Sequence, residues 1–169
     1  AISIADPLMK SYKDLMQTRS PDWKISWITP QTLALVSPMI NTQTLRTIAT
    51  LDTEKQWLDS AAQTYGTVET AWSPSGNLLV YSYQAGKNTI TYVVNRDSGA
   101  AREIKIGAPI SKCGWGLTEY ILYCAVPEKS GSGDSFVKVS VEEYPVTITP
   151  IETPRDTALD VAQLSITPD

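Results

Sequence analysis

Three tryptophans, Trp27, Trp72 and Trp115, stand 45 and 43 residues apart, and their surroundings repeat with them. Six positions after each comes Leu33, Leu78 or Ile121, and seven after comes Ala34, Leu79 or Leu122. Then follow Leu35, Val80 or Tyr123, and Val36, Tyr81 or Cys124, while Ile25, Thr70 or Cys113 lies two positions before the tryptophan. Self-similarity at this period is the mark of a repeat architecture, whose units bury their apolar faces against one another. The competing explanation is a coincidental spacing of tryptophans in another β-sandwich.

Within the units, helical periodicity is scarce after residue 20. Short β-rich runs recur instead: 33–37, 45–51, 78–83, 89–95, 102–106, 120–126, 136–141 and 145–151. Ser73-Pro74-Ser75-Gly76-Asn77, Asp97-Ser98-Gly99 and Ser130-Gly131-Ser132-Gly133-Asp134 separate them. These are turn chemistries, because Gly and Asn tolerate positive φ and Pro presets a negative one. Asp6-Pro7 before Leu8, Met9, Tyr12, Leu15 and Met16 fits a short helix over about 7–17, with Asp6 as N-cap, or irregular structure. Residues 53–62 read as a second weak helix or a long loop.

A tryptophan and the residue seven later can face each other across an antiparallel hairpin, so Trp115 opposes Leu122 and Cys113 opposes Cys124; the same register pairs Ile25 with Val36 and Thr70 with Tyr81. Four short strands in about 45 residues make one propeller blade. The expectation is an all-β partial β-propeller of about three four-stranded blades plus the first strand of a fourth, with at most a short N-terminal helix. The divisions are a lead segment 1–22, blades at 23–66, 67–107 and 108–157, and an incomplete fourth at 158–169. Leu164-Ser165-Ile166-Thr167-Pro168-Asp169 overlays on Thr70-Ala71-Trp72-Ser73-Pro74-Ser75, placing Ile166 at the tryptophan position. The sequence then stops inside a turn, which points to a piece of a longer propeller.

Trp72-Ser73-Pro74-Ser75-Gly76-Asn77-Leu78-Leu79-Val80-Tyr81 resembles the blade motif of TolB-like and related WD-type propellers, in which "W-S-P-D-G" turns from the first strand to the second. Lys112-Cys113-Gly114-Trp115 with Leu122-Tyr123-Cys124-Ala125-Val126-Pro127 is similar to a "K-C-x-W … Y-C-A-x-P" blade. That blade belongs to uncharacterised extracytoplasmic propeller proteins of candidate-phylum bacteria, which Asp22 to Trp27 and Leu159-Asp160-Val161 also fit. The resemblance covers roughly 22–169. It departs at Ser75, where the turn usually carries Asp, and at Gly116-Leu117-Thr118, which lacks the Ser-Pro turn. It implies an architecture and a location, and no activity.

A net charge of −4 without any Lys/Arg cluster argues against a nucleic-acid surface. No run approaches the roughly 18 apolar residues of a membrane span, and the first residues lack a signal-peptide layout. The sequence contains no histidine, which excludes a Ser-His-Asp or Cys-His site within it. No cofactor or metal is expected: two cysteines without histidine make a poor zinc site.

Cross-strand placement of Cys113 and Cys124 brings their Cα atoms within disulfide range; the alternative is a pair of buried thiols. Trp27, Trp72 and Trp115 read as blade core rather than a ligand groove, while Trp23 and Trp57, outside the repeat, are candidates for a contact surface. Glu142 and Glu143, adjacent in a β context, point to opposite faces. Ser73 and Ser75 have no base in view, and 131–135 is too poor in oxygen ligands for calcium. The functional expectation is a non-enzymatic extracytoplasmic interaction or scaffold module, with a protein partner or the remaining blades at its open C-terminal edge. The alternative is an accessory propeller of a serine peptidase whose catalytic domain lies outside this chain.

Overall fold

The structure, a computed structural model, describes every residue except 7, 9, 129–132, 153–159 and 167–169. The chain divides into two compact units, Ala1–Tyr65 and Gly66–Asp169. The first holds a hairpin of β1 (Ile2–Ala5) and β2 (Tyr12–Met16), and an antiparallel sheet of β3 (Lys24–Thr29), β4 (Thr32–Val36), β5 (Leu45–Asp52) and β6 (Trp57–Tyr65). The second holds two such sheets. One is β7 (Val68–Trp72), β8 (Leu78–Ala85), β9 (Asn88–Asn95) and β10 (Ala101–Ile104). The other is β11 (Cys113–Trp115), β12 (Ile121–Pro127), β13 (Asp134–Ser140) and β14 (Thr147–Ile151). In all three sheets each strand pairs with its neighbour in sequence, the meander of a propeller blade.

The second strand of each sheet reads as an almost unbroken apolar run, Leu33 to Val36, Leu78 to Tyr81 and Leu122 to Ala125, and all of these residues are buried except Tyr123, which is half-buried. In the second unit one core joins the two sheets. Leu78 and Val80 of β8, Val93 of β9 and Ile104 of β10 meet Cys113, Leu122, Cys124 and Val139 of the next sheet. The linker between the sheets is pinned to the first of them by hydrogen bonds. The Ile110 amide donates to Ser82 Oγ at 2.9 Å, the Ser111 amide to Glu69 Oε2 at 2.9 Å, and Thr91 Oγ1 to the Ala108 carbonyl at 3.3 Å. Ser82 and Thr91 thus enter the core with their hydroxyls satisfied.

The registers Trp72↔Leu79, Trp115↔Leu122, Thr70↔Tyr81 and Cys113↔Cys124 are the seven- and eleven-residue pairings read from the repeat. The first sheet departs from them. A two-residue turn and an irregularity between Trp27 and Thr29 set Trp27 opposite Leu33 and Ile25 opposite Leu35, leaving Lys24 opposite Val36.

The lead segment is a β-hairpin, not a helix. The Asp6 carboxylate accepts the amides of Leu8, Lys10 and Ser11 at 2.8, 3.1 and 2.9 Å, closing a turn instead of capping a helix. Those bonds, the Ser11 hydroxyl foremost, hold the carboxyl below its ordinary pKa. The spacing that suggested a helix is broken by burial: Leu15 is 6% exposed, while Tyr12 is 78% and Leu8 72% exposed. Ile2 and Leu15 pack on Leu33, Leu35, Ala49 and Leu51. Residues 53–62 are likewise not helical. Asp52 Oδ1 accepts the amides of Glu54 and Lys55 at 2.9 and 2.8 Å, Gln56 adopts a φ of 56°, and the chain returns as β6.

Positions 12 and 15 lie on one face of a helix but on opposite faces of a strand. Leu15→Ser is therefore expected to destabilise the chain by about 2–4 kcal/mol, and Tyr12→Ser by less than about 0.5 kcal/mol. Equal losses in urea unfolding would contradict the hairpin.

Candidate interaction surface

The first-to-second-strand hairpins carry most of the residues singled out from the sequence. Cys113 and Cys124 form a disulfide across β11 and β12, with Cα atoms 4.1 Å apart. Both lie in the core shared with the preceding sheet, 6% and 1% exposed. Closing a loop of this length restricts the unfolded chain by about 3 kcal/mol.

The tryptophans separate. Trp72 and Trp115 are half-buried, and their indole N–H groups are buried without a hydrogen-bond partner. Trp27 lies outside the core at 57% exposure, with Ile25 at 47% beside it, because the hairpin that covers this sheet lies over β4 and β5. Trp23 is not an open contact residue: it packs against the hairpin core and donates from Nε1 to Thr18 Oγ1 at 2.8 Å. Trp57, 69% exposed, opens β6 beside the 46%-exposed Leu58.

Ser73 and Ser75 do meet a carboxylate. Ser73 Oγ accepts the Leu78 amide at 3.0 Å and Ser75 Oγ the Asn77 amide at 3.1 Å, which shapes the turn. Both hydroxyls then donate to Glu119 Oε1 in the first turn of the next sheet, Ser73 at 3.3 Å and Ser75 closer. An aspartate at 75, usual in the motif, would put two carboxylates together; Glu119 supplies that group from the neighbouring sheet instead. The departure from the blade motif at Ser75 is thus met by Glu119, the residue that follows the second departure at 116–118. Sequence pairing alone hid this, since 44 residues separate the partners.

A second tie fixes the segment 160–166. Lys112 Nζ donates to both oxygens of Asp134 at 3.0 and 2.8 Å and lies 3.7 Å from Asp160, while Asp134 Oδ2 accepts the Val161 amide at 2.8 Å. The bond to Asp134 raises the Lys112 pKa. Burial pushes the Asp134 carboxyl up, but hydrogen bonds from Lys112 and Val161 outweigh it and hold it below its usual range. Further along, the Leu164 amide donates to the Ser111 carbonyl at 3.2 Å, and Ile166 lies against Gly114, where a Cβ would come within 3.1 Å of its side chain. Residues 160–166, read from the sequence as part of the first strand of a fourth blade, are in no sheet; 158, 159 and 167–169 fall outside the described residues.

Tyr81, Tyr83 and Tyr92 form a cross-strand stack with centroids 5.6 to 6.4 Å apart, a feature not anticipated from the sequence although Tyr81 and Tyr83 show the period-2 signal. Burial and the neighbouring phenols raise the pKa of Tyr81, keeping it protonated. A groove of about 390 Å³ at the β8–β9 turn and the end of β10 is lined mainly by polar residues, among them Lys87, Asn88, Thr89, Glu103 and Lys105. Glu142 and Glu143 sit exposed in the bend between β13 and β14 rather than in a strand. Among the described residues no three His, Cys, Asp or Glu side chains are grouped to hold a metal ion.

No protein-family model matches the chain, and no curated protein matches it. Solved structures do. TolB from Acinetobacter baumannii superposes over 92% of this chain with a TM-score of 0.60 at 13% identity. The fold is that of a TolB-like β-propeller. The β-propeller domain of the Trilobed protease from Pyrococcus furiosus matches 79% of the chain (TM-score 0.56, 15% identity). An uncharacterised protein of Listeria monocytogenes matches 83% (TM-score 0.60, 10% identity). The propeller chain spans 43–44% of the length of these three. At such identities the likeness is one of fold.

Ser75→Asp is expected to cost on the order of 1–2 kcal/mol through lost hydroxyl bonds and carboxylate repulsion. Adding Glu119→Gln should recover part of that loss. Additive losses in the double variant would show that the two turns do not communicate.

Proposed function

We propose that this chain is part of a longer extracytoplasmic β-propeller that works as a non-enzymatic interaction module. The observation that carries the reading is the face left at the C-terminal end of the last sheet. Ile121, Tyr123, Ala125, Phe136 and Ile151 share one side of β12–β14 by register with Lys138, Ser140, Thr147 and Thr149, and Leu164 and Ile166 lie on that side beside Gly114. The half-buried Ile121, Tyr123 and Phe136 on this mixed face call for a covering layer, whether further blades or a protein partner. The disulfide supports an oxidising compartment, where such bonds persist. The sequence has no histidine, and its serine–carboxylate cluster is used in joining turns.

A second reading is favoured by the likeness to the propeller domain of a protease: an accessory propeller of a serine peptidase whose catalytic domain lies outside this chain. Its mark would be a Gly-x-Ser-x-Gly elbow and a later histidine beyond residue 169.

The test uses the polypeptide as its host makes it, extracted under alkylation and treated with a serine-hydrolase probe. The expected result is no labelling, blocked Cys113 and Cys124, and further tryptophan-centred blades in the intact sequence. Probe labelling would favour the peptidase reading. Free, alkylated thiols would contradict the extracytoplasmic assignment.

A further inference from the structure

The three sheets end in last strands of different character. β10 is four residues long with two of them charged, Arg102 and Glu103, and β14 carries Pro150. Short length, charge and proline are the devices by which a sheet edge avoids pairing with another chain. β6 uses none of them. Its nine residues, Trp57–Tyr65, include no lysine, arginine or proline and a single charge, Asp59. It is an edge strand of its sheet, and among the described residues no strand pairs with its far side. Trp57, Leu58 and Tyr65 are exposed along it.

The register with β5 makes β6 its own complement. The pairs Leu51↔Leu58, Ala49↔Ser60, Thr47↔Gln63 and Leu45↔Tyr65 put Leu58, Ser60, Gln63 and Tyr65 on one face, because alternate residues of β5 point the same way. A bulge at Ala61, between the pairs Ile48↔Ala62 and Ala49↔Ser60, widens the middle interval. The intervals along that face are thus two, three and two residues, the same from either end. An antiparallel copy of β6 laid along the free edge therefore meets it like face to like face. Leu58 falls opposite the copy's Tyr65 and Ser60 opposite the copy's Gln63, with the small Ala61 and Ala62 at the centre. Asp59 falls opposite the copy's Thr64, so the two Asp59 positions stand roughly 17 Å apart along the strands and do not repel at close range.

We infer that the edge of β6 pairs with β6 of a second copy of this chain, joining two four-stranded sheets about a two-fold axis. The pairing gives partners to edge amides and carbonyls otherwise left to water. It also sets the half-exposed Leu58 and Tyr65 against each other twice, as aromatic–aliphatic cross-strand pairs. A two-fold contact uses the same patch on both copies and closes at the dimer. One strand pair is at the small end of protein interfaces, so the dimer forms with a dissociation constant on the order of 10–100 µM.

Sedimentation velocity of the 169-residue chain from about 2 to about 300 µM should show monomer giving way to dimer, with no larger species. Leu58→Lys, at an exposed site, should raise the dissociation constant at least about tenfold and leave the thermal midpoint within about 2 °C. Gln63→Lys, on the same face, should do likewise. Positions 58 and 65 are more than about 20 Å apart within one chain, too far for a disulfide inside it. Leu58→Cys combined with Tyr65→Cys should therefore give a covalent dimer on air oxidation, in several-fold higher yield than either single variant. A chain that stays monomeric at every concentration would overturn the inference, as would a dimer that both lysine variants leave intact. A dimer lost in those variants but without the 58–65 crosslink would overturn the register, and growth beyond the dimer would overturn the two-fold pairing.

Discussion

Sheet-on-sheet burial is the constraint on which the rest depends. A four-stranded meander whose second strand is apolar on both sides cannot hide those faces by itself; each unit must be covered by its neighbour. In Gly66–Asp169 this is done by one core running through two sheets, from Leu78 and Val80 to Leu122 and Val139. The disulfide and the polar ties of Ser82, Glu69 and Thr91 lie in or at the margin of that core and fix the linker that delivers one sheet to the next.

The same constraint explains where polar chemistry is found. The Ser73–Ser75–Glu119 cluster and the Lys112–Asp134–Val161 tie both join one element to the following one. Each spends its charge or hydroxyls on assembly. Glu119 stands in for the turn aspartate that Ser75 replaces, so a local departure in one blade is matched by a side chain from the next.

Much of this was legible in the sequence because the repeat places long-range neighbours at fixed spacing. Trp115↔Leu122 and Cys113↔Cys124 followed from counting, as did the runs that became β4, β8 and β12. The errors arose where local pattern met a tertiary demand. Leu8, Tyr12 and Leu15 have helical spacing, but the hydrophobic layer over Leu33 and Leu35 selects Ile2 and Leu15 as strand residues. Residues 53–62 read as a weak helix or a long loop, yet pairing of Trp57 to Ser60 and of Ala62 with β5 decides for a strand there. The one-residue register change at Trp27 is set by a short turn and an irregularity that composition does not reveal. Glu119 was invisible as a partner because nothing local points across 44 residues.

The shared core is tested most directly by native-state hydrogen exchange on the 169-residue chain, with and without Leu122→Ala. If the two sheets are one cooperative unit, the slowest amides of β8 and β12 exchange with a common free energy, and the substitution lowers both by the same amount, about 2–4 kcal/mol. A loss confined to β12, with β8 unchanged, would contradict the account.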